Sequence, residues 1–161
     1  MRYYIGIDPG SKGAMAVLNQ DGEVVDIRDL TSNVIDYAGI LIYVCYPTDS
    51  YSVAVEDVRG RPGQSCIANT TFMKLAGYAE LLGASFAVGN PNSDYFKVSP
   101  LTWKKHFGLT TKGLTKTERK HLSIDLAKRF FPSVADKLTA SKDGRAEALL
   151  IAKYCKEILC V

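Results

Sequence analysis

The chain is 161 residues long, 47% apolar and 23% charged, and its 20 Lys and Arg against 17 Asp and Glu leave a formal charge of +3. A chain of this size buries roughly two-thirds of its unfolded surface. One self-sufficient domain over residues 1–161 is therefore expected, which excludes disorder and two-domain nucleotide machines of the actin or sugar-kinase kind.

In chain order, residues 3–8 are apolar and β-prone, Asp8-Pro9-Gly10-Ser11-Lys12-Gly13 is a turn, and residues 14–18 are apolar again, the pattern of a hairpin. Asp21-Gly22 turns the chain into residues 23–29, which predicts a three-strand antiparallel meander. Ser32 or Asn33 can cap a helix to about residue 44, with Ile35, Ala38 and Ile42 at helical spacing. The valine-rich residues 52–58 read as a buried strand, and a flexible stretch, 59–65, follows. Between 66 and 82, Phe72, Leu75, Ala76, Ala79 and Leu82 mark a helical face, with Gly83 as its stop and residues 85–89 as a fifth strand. Ser99-Pro100 opens a short helix around Trp103 and Phe107, closed by Gly108. Thr115 and Glu118 have capping-box spacing for a helix to Phe131, stopped by Pro132. The last helix runs from 143 to about 159, with Leu150, Ile151, Tyr154 and Ile158 on its apolar side. The order β-β-β-α-β-α-β followed by helices predicts an α/β fold: a five-stranded mixed sheet, an antiparallel meander plus parallel strands, flanked by helices.

Apolar runs are far shorter than the roughly 18 residues of a membrane span, and no signal-peptide pattern opens the chain, so a soluble, cytoplasmic protein is expected. Cys45, Cys66, Cys155 and Cys160 form no CxxC pair and stand far from His106 and His121, which argues against zinc and for reduced thiols. The small net charge hides an asymmetry. Residues 1–96 carry 6 basic and 11 acidic side chains, residues 97–131 carry 9 and 2, and residues 132–161 carry 5 and 4. The middle segment reads either as a phosphate-binding surface or as a solvated helix face.

Three carboxylate positions sit at or in apolar elements: Asp8 ending the first strand, Glu56 within the fourth, and Asp143 with Glu147 four apart on the last helix. A carboxylate in an apolar strand is costly to bury without a partner, and acids converging from separate elements of a sheet can share a metal. With no His or Cys nearby, hard oxygen ligands favour magnesium or manganese. Two such ions can activate water and stabilise the leaving oxygen of an in-line displacement at phosphorus. Each acid has an ordinary structural reading too: a turn for Asp8, a helix-dipole partner for Asp143, a pair with Lys142 or Arg145 for Glu147. The glycine-rich turn lacks Walker A spacing. Trp103 and Phe107 read as core first and as base-stacking groups second.

The ordered set Ile5-Gly6-Ile7-Asp8-Pro9-Gly10, Val55-Glu56, Pro62-Gly63-Gln64-Ser65, Pro100-Leu101-Thr102-Trp103-Lys104-Lys105 and Lys142-Asp143-Gly144-Arg145-Ala146-Glu147-Ala148-Leu149 resembles the RuvC-type Holliday junction resolvases, most of all their phage-borne branch. The resemblance implies an RNase H-like fold and a homodimer. It also implies a magnesium-dependent endonuclease, with two ions per active site (manganese as the alternative), that resolves branched DNA by paired nicks, leaving 5′-phosphate and 3′-hydroxyl ends. Carried across by position, Asp8, Glu56, Asp143 and Glu147 are the catalytic and metal-holding acids. Arg59, Arg61, Lys104, Lys105, Lys112, Lys116, Arg119, Lys120, Lys142 and Arg145 would grip DNA, and the helix from Cys66 would form the dimer contact. Two departures stand out. The family's last two acids are three apart, which would place one at Gly144, and the loop after Glu56 carries arginines where some members carry an aromatic wedge. The rival readings are a nuclease acting on RNA or an RNA–DNA hybrid and a catalytically silent branched-DNA-binding module.

Overall fold

The computed structural model describes residues 1–44, 49–60, 63, 65–88, 91–109 and 112–159, with side chains at 41–44 and 116 left aside. Cys45, Cys160 and Arg61 lie outside the described residues. Strands β1 (Arg2–Asp8), β2 (Ala14–Leu18), β3 (Val24–Asp29), β4 (Ser50–Glu56) and β5 (Asp94–Val98) form one sheet in the order β3-β2-β1-β4-β5. The meander β1-β2-β3 is antiparallel, while β4 runs parallel to β1 and β5 parallel to β4. Helix α1 (Val34–Val44) precedes β4, and α2 (Cys66–Val88) makes the crossover from β4 to β5. Helices α3 (Pro100–His106), α4 (Lys116–Phe130) and α5 (Asp143–Leu159) follow, with two 3-10 turns, Pro132–Lys137 and Ala140–Lys142, ahead of α5.

Strand alternation sorts the core into two layers. Ile5, Ile7, Met15, Val17, Val53 and Val55 point to the side covered by α1 and α2, where Tyr37, Ile40, Ala79, Leu82 and Phe86 meet them. Tyr4, Ala14, Ala16, Leu18, Ala54 and Val98 point to the other side, against Trp103, Ile124, Ala127 and the inner face of α5. By the same alternation Asp8, four residues after Tyr4, and Glu56, two after Ala54, belong to the α5 side. Helix α5 lies directly on the sheet. A Cβ at Gly6 would stand 2.2 Å from both the Ala148 carbonyl oxygen and the Ala152 nitrogen, so only glycine lets the helix backbone descend this far.

Several sequence expectations are corrected. Gly83 does not stop α2, and residues 85–88 are helical, so the fifth strand is Asp94–Val98. Gly83 is glycine for packing: a Cβ there would lie 2.6 Å from Val55 Cγ2. Helix α1 turns Tyr37 and Ile40 inward and leaves Ile35 72% exposed, so the face expected from Ile35 and Ala38 is the wrong one; the Ile42 side chain lies outside the description. Ile158 of α5 is exposed, because the helix is buried along Ala146 to Cys155, where it crosses the sheet. Strand β4 ends at Glu56 and does not continue to 58, since Asp57 leaves the sheet with its N–H on the Val98 carbonyl at 2.7 Å.

The capping expectations hold. Ser99 accepts from the Thr102 N–H with Pro100 in the first turn, and Thr115 and Glu118 form the reciprocal capping box. Cys155 is buried, its thiol donating to the Ser52 carbonyl oxygen at 3.3 Å, and Cys66 is exposed. Among the described residues no helix is long and apolar enough to cross a membrane.

Gly6→Ala places a methyl group against backbone atoms that no rotamer change can move. It is expected to destabilise the fold by about 3 kcal/mol or more, read as a lowered urea midpoint with an unchanged slope.

Candidate metal centre

Asp8 and Glu56 stand side by side at the carboxyl ends of adjacent parallel strands, because Ile7 pairs with Val55 one residue earlier. Helix α5, held close by Gly6, brings Glu147 over the same edge. One carboxylate oxygen from each of Asp8, Glu56 and Glu147 lies within 4.8 Å of the others. The crevice beyond the carboxyl ends of parallel strands is where α/β sheets collect ligand groups.

Each acid is held by a different device. Glu56, only 6% exposed, accepts the Trp103 indole N–H on Oε1 at 2.9 Å. Glu147 takes Lys104 Nζ at 3.0 Å and the Ser123 hydroxyl at 3.3 Å on the same Oε1. Asp143 stands beside the triad, not within it, with Lys120 Nζ 2.6 Å from its Oδ2. The other oxygen of Asp143 is buried and has no hydrogen-bond partner. Gly144, where the three-residue spacing would put an acid, has no room for one. A Cβ there would meet the Lys12 carbonyl oxygen at 2.1 Å and Asp8 Oδ2 at 3.0 Å. Asp143 stands one position earlier, at the start of α5.

Burial pushes the Asp8 carboxyl well above its ordinary pKa, and the charges of Glu147, Glu56 and Asp143 push the same way while Lys104 opposes them. Crowding by like charge is relieved by a proton or by a cation. Three convergent carboxylates, an orphaned buried oxygen on Asp143 and no imidazole or thiol in the set fit a hard divalent ion such as magnesium or manganese.

The other expected residues divide. Arg59 is 88% exposed, with Asp57 3.6 Å away, and Lys105, Lys112 and Arg119 are also exposed. Lys104 and Lys120 turn inward to Glu147 and Asp143. Lys142 and Arg145 both reach Asp29 at the end of β3 rather than Glu147. Lys116 begins α4, its side chain outside the description. Sequence reasoning missed the contacts of Trp103 and Ser123 with the acids. For Ser123 a signal existed: the inward stripe Ile124, Ala127, Phe131, extended back by helical spacing, passes through Ser123 and Lys120.

No family model matches the sequence, and no curated protein matches it. The fold does have a solved counterpart: T. thermophilus RuvC in complex with Holliday junction substrate superposes with a TM-score of 0.62 over 98% of this chain and 93% of that one, at 13% identity. The fold is RNase H-like. In this RuvC-like frame the acidic triad lies where a mixed sheet and its last helix converge, and the RNase H-like architecture expected from the sequence is the one present.

The Asp29 clamp ties the edge of this frame to the start of α5. Its Arg145 hydrogen bond, aided by Lys142 and opposed by burial, lowers the Asp29 pKa from 3.8 to about 2. A depressed carboxylate adds stability that is complete above its unfolded pKa and is lost as pH falls through the folded one. With a side chain 39% exposed, solvent screening limits the contribution to about 1 kcal/mol. The stability gap between the parent protein and Asp29→Asn is expected to close as pH drops from about 4 to about 2, read from urea midpoints across that range.

Proposed function

We propose that this protein is a divalent-cation-dependent, structure-selective DNA endonuclease that resolves four-way junctions by paired nicks, acting inside the cell as a single RNase H-like domain over residues 1–161. The observation that carries the reading is the meeting of Asp8, Glu56 and Glu147 within 4.8 Å, on a fold shared with a RuvC protein solved on a Holliday junction. The ordered motifs add support and resemble those of the phage-borne branch.

Asp8, Glu56, Glu147 and Asp143 are the groups that would hold two magnesium or manganese ions. Such ions supply Lewis-acid stabilisation of charge and an activated water for in-line displacement at phosphorus. The chain's own work is to present the oxygens. The sheet fixes Asp8 and Glu56, α5 fixes Glu147 and Asp143, and Lys104 and Lys120 pair with the last two. Lys104 and Lys120, members of the expected DNA-binding set, stand beside those carboxylates. Arg59, Lys105, Lys112 and Arg119 lie exposed for the DNA backbones; Arg61, Lys116, Lys142 and Arg145 complete the basic set. A junction has two-fold symmetry, so paired nicks need two sites, which a homodimer supplies. Ile67, Met73, Leu81 and Val88 give α2 an exposed apolar side suited to that contact.

The deciding experiment offers the protein a synthetic four-way junction, linear duplex and an RNA–DNA hybrid, with and without magnesium. Paired junction nicks that require magnesium are expected, and Glu56→Gln is expected to lower their rate at least about 100-fold. Faster cleavage of the hybrid would make the protein an RNA-directed nuclease, and junction binding without cleavage a silent module. Junction affinity is expected to fall steeply with salt, and Lys105→Ala with Lys112→Ala to reduce the salt slope by about 2.

A further inference from the structure

Trp103 is the chain's single tryptophan, and its side chain is fully buried in the layer between the sheet and α5. An indole N–H can only donate, and a buried donor needs an acceptor. Here the acceptor is the Glu56 carboxylate, 2.9 Å away. The route that brings it there is short. Val98, the last residue of β5, pairs with Glu56 itself, Ser99 caps α3, and the first turn of that helix returns Trp103 to the same glutamate. The next residue reaches a second acid. Lys104 Nζ lies 4.8 Å from the centroid of the Trp103 ring and 3.0 Å from Glu147 Oε1. Consecutive helix residues point in different directions, so one dipeptide holds carboxylates that arrive from β4 and from α5.

We infer that Trp103 is a positioning residue for divalent-cation binding, its buried indole N–H fixing the Glu56 carboxylate in the orientation that meets Asp8 and Glu147. The inference deepens the nuclease reading and rests on its metal centre. A bond from a buried neutral donor to an ionised carboxylate is stronger than one between neutral groups, and it restrains the side chain against the pull of the cation. Partners of this kind typically change metal affinity or activity 10- to 100-fold when removed. A further consequence is optical: the only indole of the protein touches a metal-holding oxygen, so its emission reports occupancy of the site.

The test uses the full chain and magnesium, which does not itself quench indole fluorescence. Titrating magnesium while exciting the indole selectively is expected to give a saturable emission change that parallels calorimetric binding and disappears in Glu56→Gln. Trp103→Phe keeps an aromatic ring in the core and removes the donor. It is expected to bind magnesium 10- to 100-fold more weakly by calorimetry and to regain nicking activity at high magnesium, which a general packing defect would not restore. Calorimetric binding by the parent protein with no change in Trp103 emission, or an unaltered magnesium affinity in a folded Trp103→Phe, overturns the inference and leaves the nuclease reading standing. If Trp103→Phe does not fold, the emission titration of the parent protein decides alone. No magnesium binding by the parent protein overturns the metal centre and this inference together.

Discussion

The contact of α5 with β1 at Gly6 governs the rest of the molecule. A helix normally stands off a sheet by the thickness of its side chains. Here the missing Cβ of Gly6 and the small Ala148 and Ala152 let backbone meet backbone, with the Cβ position of Gly6 only 2.2 Å from atoms of both alanines. Asp8 lies two residues along β1 from that contact, and Glu147 is the neighbour of Ala148. Their separation is therefore fixed by the closest-packed point of the core. Gly144 repeats the device one turn earlier, where the Lys12 carbonyl fills the space a side chain would need. Two glycines on facing elements thus set both the height and the rotation of α5 over the strand ends.

That closeness has an electrostatic consequence which the remaining elements answer. Bringing Glu56, Glu147 and Asp143 around Asp8 drives the Asp8 carboxyl up toward its neutral form, with burial the largest cause. Lys104 from α3 opposes this rise, and Lys104 and Lys120 from α4 each pair with a different acid of α5. Two cations against four acids leave the site short of positive charge. The orphaned Asp143 oxygen marks the same shortage in hydrogen-bonding terms. Helices α3 and α4 therefore balance the charge that α5 and the sheet concentrate, in addition to covering the core.

Much of this was legible in the sequence, and where it was not, the reason is physical. The meander, the capped helices and the positions of Asp8, Glu56 and Glu147 followed from local rules: alternation, turn residues, N-caps and carboxylates in apolar context. Gly83 misled because glycine inside a helix and glycine after one look the same in sequence. Only the proximity of Val55 distinguishes them. The true fifth strand, Asp94–Val98, was hidden because as an edge strand it carries Asp94 and Lys97, and edge strands use charge to discourage further pairing. The inward face of α1 was misread because Tyr37, with its hydroxyl, was passed over for Ile35. Ser123 and the indole of Trp103 escaped as site groups because each acts through an acid that only tertiary structure brings within reach.

The charge asymmetry also takes on a different meaning. The basic excess of residues 97–131 reads in sequence as a phosphate-binding surface or a solvated helix face, yet among the described side chains Lys97 pairs with Glu80 and Asp57, Lys104 with Glu147 and Lys120 with Asp143. Lys105, Lys112, Arg119, Lys128 and Arg129 stay exposed. The same segment thus serves two electrostatic ends, inward neutralisation of a carboxylate cluster and outward positive potential. The two ends share elements, because α3 and α4 carry both kinds of residue. The inward end meets the acids directly, Lys104 on an oxygen of Glu147 and Lys120 on one of Asp143.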